Sequence, residues 1–307
     1  MEQNKFFWEN SEIKLFASLL AVLLVFLFLS LVADAKNPQP NKYKPLVENS
    51  FGEVVIRAKA AYVYDVRTQK VLFAHDENKR LPLASLTKVM SAVVASEMAS
   101  STTTIVISTK ALEAYGDSGL LVGDRWSMKD LLDFSLTTSS NDGMRAIALS
   151  LGSQAPEENM KNFIQKMNRK AHELGMLNTY FYNEAGLDES DLKGGAYGTA
   201  KDLTHLFEYI LNAHPMLLEA TQKRNLTISS LNQTYNAVNT NTIAEEIPGL
   251  IGSKTGFTDI AGGNLMVVFD PEIGRPIIIA VLGSTGTERF KDVGILVEKT
   301  IQYINRE

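Results

Sequence analysis

The chain reads as an α+β protein, an antiparallel sheet with an inserted all-helical lobe, preceded by an N-terminal transmembrane or signal helix. Three observations carry that reading: an uncharged apolar block near the N-terminus, strand-like runs at both ends of the remaining chain, and segments of helical spacing between them. The 307 residues, 45% hydrophobic, suffice to bury a full core. A net charge of −5 offers no basic face for the phosphates of a nucleic acid, which is therefore not expected as a partner. With no cysteine, the chain has no disulfide, Cys-ligated zinc, iron–sulfur cluster, thiol nucleophile or lipid-modified cysteine.

The apolar block runs from Leu15 to Ala33, with Ser18 and Ser30 as its polar members. At about 1.5 Å per residue it approaches the ~30 Å hydrocarbon core of a bilayer. Ala33-Asp34-Ala35 has the small-x-small form of a signal-peptidase site, so residues 15–35 are either a retained anchor or a cleaved signal, after a leader at residues 1–14. Lysines flank the block on both sides and do not orient it. Residues 36–58, with three prolines close together and no hydrophobic period, read as an extended spacer. Residues 59–307 then read as one globular domain, the candidate catalytic domain if the motifs below carry chemistry.

In that domain AAYVYDV and KVLFAHD flank the polar RTQ and predict a hairpin. Ser85 opens a helix, SLTKVMSAVVASEMA, apolar on most sides and so central and buried. Ser127 to Asp130 resembles a capping box, Gly175 a helix C-cap, and Thr199 with Asp202 an N-terminal cap. GLIGSKTGFT, GGNLMVVFD and RPIIIAVLGS predict strands, and TERFKDVGILVEKTIQYI a closing amphipathic helix. The first and last strands are expected to meet.

Chemistry based on histidine has little support. His75, His172, His205 and His214 show no ligand spacing, and His172-Glu173-Leu-Gly-Met176 lacks the second His of a zinc-protease helix. A lysine held beside a hydroxyl is the alternative base, and Ser-x-x-Lys places the two one helical turn apart. The tetrapeptide occurs three times, from Ser11, Ser85 and Ser190. Only Ser85 stands at the start of a long apolar helix, where terminal amides favour developing negative charge. Ser139-Ser140-Asn141 falls in a turn between helices, whereas Ser230 to Asn232 has no evident scaffold. Lys254-Thr255-Gly256 lies inside a predicted strand, where Gly256 lets a substrate lie against the edge and Lys254 supplies a cation for a carboxylate.

SxxK, SxN and KTG, in that order, are the signature of the penicillin-recognising serine acyl-transferases. LPLASLTKVMSAVV, TTSSNDG, FIQKMNRKAHELGMLNTYFYNEAGL and GSKTGFTDIAGGNL further resemble the D-alanyl-D-alanine carboxypeptidases, the low-molecular-weight penicillin-binding proteins, from about Ala60 to the C-terminal helix. The sequence departs from the family in having Ser140 where Gly or Ala is usual and Asn264 where Cys is common. The resemblance implies a β-lactamase/transpeptidase-like fold. It implies Ser85 as the acylated nucleophile, Lys88 as its base, Ser139 as a proton relay, and Asn141 as the group that orients Lys88 and bonds the substrate amide. Lys254 and Thr255 would bind the terminal carboxylate beside Gly256, and the N–H groups of Ser85 and Phe257 would form the oxyanion hole. Lys254 is expected to lower the pKa of Lys88 by repulsion.

The implied partners are peptidoglycan stem peptides, β-lactams as covalent inhibitors, and the membrane through the N-terminal helix. No metal or organic cofactor is implied. The implied location is the extracytoplasmic face of the bacterial membrane, or the cell-wall space if the N-terminal segment is cleaved. Many family members carry a further β-rich domain and a membrane-binding tail, a task the N-terminal anchor would take over here. Three other readings share the motifs: a D,D-endopeptidase on cross-links, a class A β-lactamase, and an inactive peptidoglycan-binding module. A β-lactamase would need a Glu followed four residues later by Asn, but Glu173 and Asn178 are five apart, and Glu173 reads as a solvated helix residue. Asp142 reads as a helix-start charge. Tyr180, Phe181 and Tyr182 are expected to pack the helical lobe, and residues 183–187 to form a turn bordering the groove.

Overall fold

The computed structural model describes Leu20, residues 51–152 and residues 154–307. The expected leader and anchor, Leu20 aside, and the first part of the spacer lie outside the described residues. Among the described residues no helix is long and apolar enough to cross a membrane.

The compact unit begins at Phe51. Its chain enters a hairpin of β1 (Ala60–Asp65) and β2 (Lys70–His75), then a short strand β3 (Leu81–Pro82). A 3-10 turn at Ala84–Leu86 leads straight into helix α1 (Thr87–Met98), buried along most of its length. Strands β4 (Thr104–Val106) and β5 (Arg125–Ser127) pair before helices α2 (Met128–Thr138), α3 (Asn141–Ser150) and α4 (Pro156–Glu173). Next come β6 (Tyr180–Phe181), β7 (Ala196–Gly198), α5 (Ala200–Ala213) and the hairpin β8 (Asn225–Ser229) with β9 (Thr234–Val238). The chain then adds β10 (Leu250–Thr258), β11 (Gly262–Phe269), β12 (Ile277–Ser284) and α6 (Glu288–Ile304).

Strands β10, β11, β12, β1 and β2 form one antiparallel sheet in that order. The first and last strands of the domain do meet, β1 against β12 from Ala60↔Leu282 to Asp65↔Ile277. Alternate residues serve two cores: Ala60, Tyr62, Ile278, Ala280 and Leu282 face the inserted lobe, whereas Ala61, Val63, Ile277, Ile279 and Val281 face α6 through Val293 and Leu296. Burial on both faces explains why these strands read as unbroken apolar runs. Where β1 ends and β12 begins, Asp65 and Arg275 form a buried ion pair at 2.8 Å.

The helices are bounded by the caps that their spacing predicts. Ser127 accepts from the Asp130 N–H at 3.1 Å, and Thr199 from the Asp202 N–H at 3.0 Å. Gly175, at φ 71°, closes α4 with its N–H on the His172 carbonyl.

Three expectations change. The lobe is not all-helical, because β4–β5, β8–β9 and the small sheet β3-β7-β6 lie among its helices. The spacer does not run to residue 58, since Phe51, Val54 and Ile56 pack on the α6 side of the sheet and Arg57 N–H bonds Asp292 at 2.8 Å. Of the three aromatics at 180–182 only Phe181 is buried; Tyr180 and Tyr182 stack edge to face at the surface because a strand turns alternate residues outward.

Helices α2 and α3 approach so closely at Gly143 that an added Cβ would lie 2.2 Å from Ser135 Oγ and 3.2 Å from Leu131 Cδ1. Gly143→Ala is expected to cost about 1–3 kcal/mol by overpacking. Urea unfolding of the variant against wild type measures that loss.

Candidate active site

Ser85 sits in the 3-10 turn before α1, half-buried, and the residue before it, Ala84, adopts a left-handed φ of 49°. One turn later, Lys88 is completely buried. Its Nζ lies 2.9 Å from Ser85 Oγ, 2.6 Å from Asn141 Oδ1 and 2.8 Å from the Ala185 carbonyl. Each acceptor comes from a different part of the chain: the turn before α1, the start of α3, and the turn at residues 183–187. That last turn is shaped by Asn183, whose Oδ1 accepts from the Gly186 N–H at 2.7 Å while its Nδ2 donates to the Leu187 carbonyl at 2.8 Å.

Burial pushes the Lys88 ammonium down to about 7, against a smaller opposing pull from the Glu184 carboxylate. The expected repulsion between the two lysines is secondary to burial, and it shows on Lys254, which is held well below the usual lysine range by burial first, then by Lys88 and Arg289. The reason is geometric: Lys88 loses its water on every side, which outweighs any single neighbour. Glu184 is itself buried and receives Arg145 Nε at 3.2 Å.

A neutral Lys88 amine has two N–H donors and one lone pair. Asn141 Oδ1 and the Ala185 carbonyl can only accept, so they take both donors and leave the lone pair facing the Ser85 hydroxyl. The arrangement can therefore withdraw a proton from Ser85 and return it.

A second network adjoins the first. Ser139 closes α2 in a left-handed conformation at φ 63°, which turns its Oγ toward Lys254 Nζ at 2.8 Å. Lys254 also donates to the Thr255 carbonyl at 3.0 Å, and Thr255 Oγ1 lies 2.6 Å from Thr240 Oγ1. Ser140 caps α3 by accepting from the Gly143 N–H at 2.9 Å, which starts the helix at Asn141. Asn141 Nδ2 donates to the Tyr115 carbonyl at 2.7 Å, leaving one amide hydrogen over. On β10, Gly256 stands where a Cβ would be 2.8 Å from the Leu83 carbonyl and 3.3 Å from the Leu86 nitrogen, so the strand lies directly against the Ser85 turn. Phe257, the next residue, presents its ring half-exposed.

All eight residues singled out in the sequence thus gather at one place. Of the decoys, Ser11 lies outside the described residues, Ser190 and Lys193 form an exposed bridge, and Ser230 to Asn232 caps the β8–β9 hairpin, with Ser230 Oγ donating to Asp124 at 2.9 Å. Glu173 is exposed at the end of α4 in an ion pair with Lys170 at 3.2 Å. Asp142 stands in the first turn of α3, as its reading as a helix-start charge expects; it is also buried, and its Oδ2 accepts from the Ser118 N–H at 3.1 Å. Sequence reasoning missed Thr240, Glu184, Arg145 and Arg289, whose Nη1 donates to the Gly256 carbonyl at 2.7 Å. A cation in the first turn of α6, against the helix dipole, was the one signal for Arg289. Among the described residues no cluster of His, Asp and Glu could hold a metal.

The model of the D-alanyl-D-alanine carboxypeptidase family, peptidase S11, matches residues 47–286. The chain belongs to that family. Among the carboxypeptidase family's relatives, D-alanyl-D-alanine carboxypeptidase DacF of Bacillus subtilis is 30% identical over 77% of the chain, which spans 60% of DacF. A D-alanyl-D-alanine endopeptidase of Pseudomonas aeruginosa is 32% identical over 87% of the chain and 83% of its own length. Penicillin-binding protein D2 of Listeria monocytogenes, solved in its ampicillin-bound form, superposes with a TM-score of 0.70 at 30% identity, over 81% of this chain and 98% of that one. The mixed helix-and-sheet fold is that of the penicillin-binding D,D-peptidases.

The folded pKa of Lys88, about 7, lies below the free value of 10.5. Between those values the unfolded chain holds a proton that the folded one has released, so this group makes stability rise as pH rises through that window. Lys88→Met should flatten that part of the slope, as measured by urea unfolding from pH 7 to 10.

Proposed function

We propose that the protein is a serine D-Ala-D-Ala carboxypeptidase that removes the terminal D-alanine from peptidoglycan stem peptides and is acylated by penicillins. The observation that carries this is the buried Lys88 amine, 2.9 Å from Ser85 Oγ, with its other contacts only accepting. Ser85 Oγ attacks the carbonyl carbon of the penultimate D-Ala as Lys88 takes its proton. The N–H groups of Ser85 and Phe257 receive the oxyanion, each worth about 3 kcal/mol of transition-state stabilisation. Collapse breaks the C–N bond, and the departing amine is protonated through Ser139, which Lys254 holds at 2.8 Å. Water then hydrolyses the ester, restoring Ser85. Asn141 orients Lys88 and offers its remaining amide hydrogen to the substrate backbone. Lys254 and Thr255 take the terminal carboxylate, with Gly256 letting the peptide lie on the β10 edge.

A D,D-endopeptidase is the second reading, supported by the Pseudomonas aeruginosa relative, similar over 87% of this chain. It would use the same acylation on a cross-linked peptide. Substrate chemistry and the apolar block Leu15–Ala33 support a site of action outside the cytoplasmic membrane, with residues 15–35 as anchor or signal and residues 1–14 inside.

Wild-type protein incubated with a peptide ending in D-Ala-D-Ala should release D-Ala, and Ser85→Ala should release none. Absence of release by wild type would refute the carboxypeptidase reading, and faster cleavage of a cross-linked muropeptide dimer would favour the endopeptidase. Lys88→Ala should lose labelling by a fluorescent penicillin. In wild type the labelling rate should climb with pH through about 7, as Lys88 becomes neutral.

A further inference from the structure

Asn264 lies on β11, one strand in from the KTG edge, and is completely buried. Its side-chain amide is fully used. Nδ2 donates to the Pro82 carbonyl at 3.0 Å and the Leu83 carbonyl at 3.1 Å, and Oδ1 accepts from the Gly283 N–H of β12 at 2.8 Å. The β11–β12 register slips between Gly263 and Leu265, so Asn264 fills a break in the ladder and bonds that strand through its side chain.

The two carbonyls it holds belong to the residues just before the left-handed Ala84, which precedes Ser85. A non-glycine residue at that φ costs energy and persists only where its surroundings impose it. Two glycines allow close backbone approach to the same turn. Gly186 stands where a Cβ would be 1.9 Å from the Ala84 carbonyl, and Gly256 stands where one would be 2.8 Å from the Leu83 carbonyl. Asn264 adds directional bonds to what is otherwise steric confinement. It shares β11 with Gly263, the register partner of Phe257.

We infer that Asn264 is a positioning residue that ties the turn carrying Ser85 to the sheet bearing Phe257, fixing the spacing of the two oxyanion-hole N–H groups. The inference rests on the carboxypeptidase reading above. Without the bonds to Pro82 and Leu83, the strained turn is free to relax, and the Ser85 N–H moves relative to Phe257 while the carboxylate site at Lys254 and Thr255 stays in place. The acylation step should suffer and the reversible binding step should not.

The test uses Asn264→Asp, which keeps an acceptor for Gly283 but has no donor for the two carbonyls when ionised, and Asn264→Ser, which keeps one donor. With a fluorescent penicillin in rapid-quench labelling, the acylation rate constant of N264D should fall about 10- to 100-fold with the reversible dissociation constant within about 2-fold. N264S should lie between N264D and wild type, and kcat for a D-Ala-D-Ala peptide should fall with KM little changed. The infrared carbonyl band of the acyl-enzyme should move to higher wavenumber, the signature of a loosened oxyanion hole, which a loss of stability alone would not produce. Circular dichroism checks folding, and if N264D does not fold, N264S decides. A folded variant with wild-type acylation rate and carbonyl band, its loss confined to melting temperature, overturns the inference. A wild-type protein that neither takes the penicillin nor releases D-Ala overturns the functional reading instead.

Discussion

The three contacts of Lys88 Nζ are the constraint on which the rest of the molecule depends. An ammonium without water is costly, and this one is tolerable because three oxygens surround it and because burial makes its neutral form accessible. Those oxygens come from segments far apart in sequence, so the amine acquires its environment only when the turn before α1, the start of α3 and the Asn183 turn have all reached their places. Helix α1 must therefore be central, which is why so little of it reaches solvent, its polar residues Thr87, Lys88 and Ser91 included.

The two lysines of the site are kept apart in function by their neighbours. Lys88 faces acceptors and the partly offset charge of Glu184, whose carboxylate is held by Arg145. Lys254 faces Ser139 and the Thr255 carbonyl, with Arg289 nearby and no acid in ion-pair contact among the described residues. A buried amine whose charged form lacks a counter-charge favours an incoming anion, which stabilises its protonated form, and a peptide ending in a free carboxylate supplies one. Backbone conformation does comparable work at both serines. Ala84 at φ 49° and Ser139 at φ 63° are turns that few residues adopt, and each directs a hydroxyl-bearing segment toward one of the lysines.

Much of this was legible because local chemistry repeats known periodicities. The strands of the central sheet, the caps at Ser127, Thr199 and Gly175, and the closing helix follow from apolar period and cap residues. The sheet's closure by β1 on β12 followed from strands at both ends of the domain. The choice of Ser85 over Ser11 and Ser190 followed from the apolar helix behind it, and in the structure Ser190 is an exposed turn. The short strands inside the lobe were not legible, because β3, β6 and β7 are two or three residues long and exist only through their pairing. Nor was the packing of Phe51, which depends on Phe73 and Tyr303 from opposite ends of the domain.

The types of group available for chemistry were set by the residues alone: a hydroxyl and an amine one turn apart, a second serine, an amide, and a cation on a strand, with no thiol. Residue identity and spacing are local properties, and motif order is written along the chain. The state of those groups was decided by tertiary structure. That burial above all brings Lys88 to about 7, that Asp142 holds a loop, and that Asn264 grips the strained turn before Ser85 all depend on how much water is excluded and which distant atoms arrive. Desolvation and long-range hydrogen bonds belong to the packed chain, and no stretch of sequence contains them.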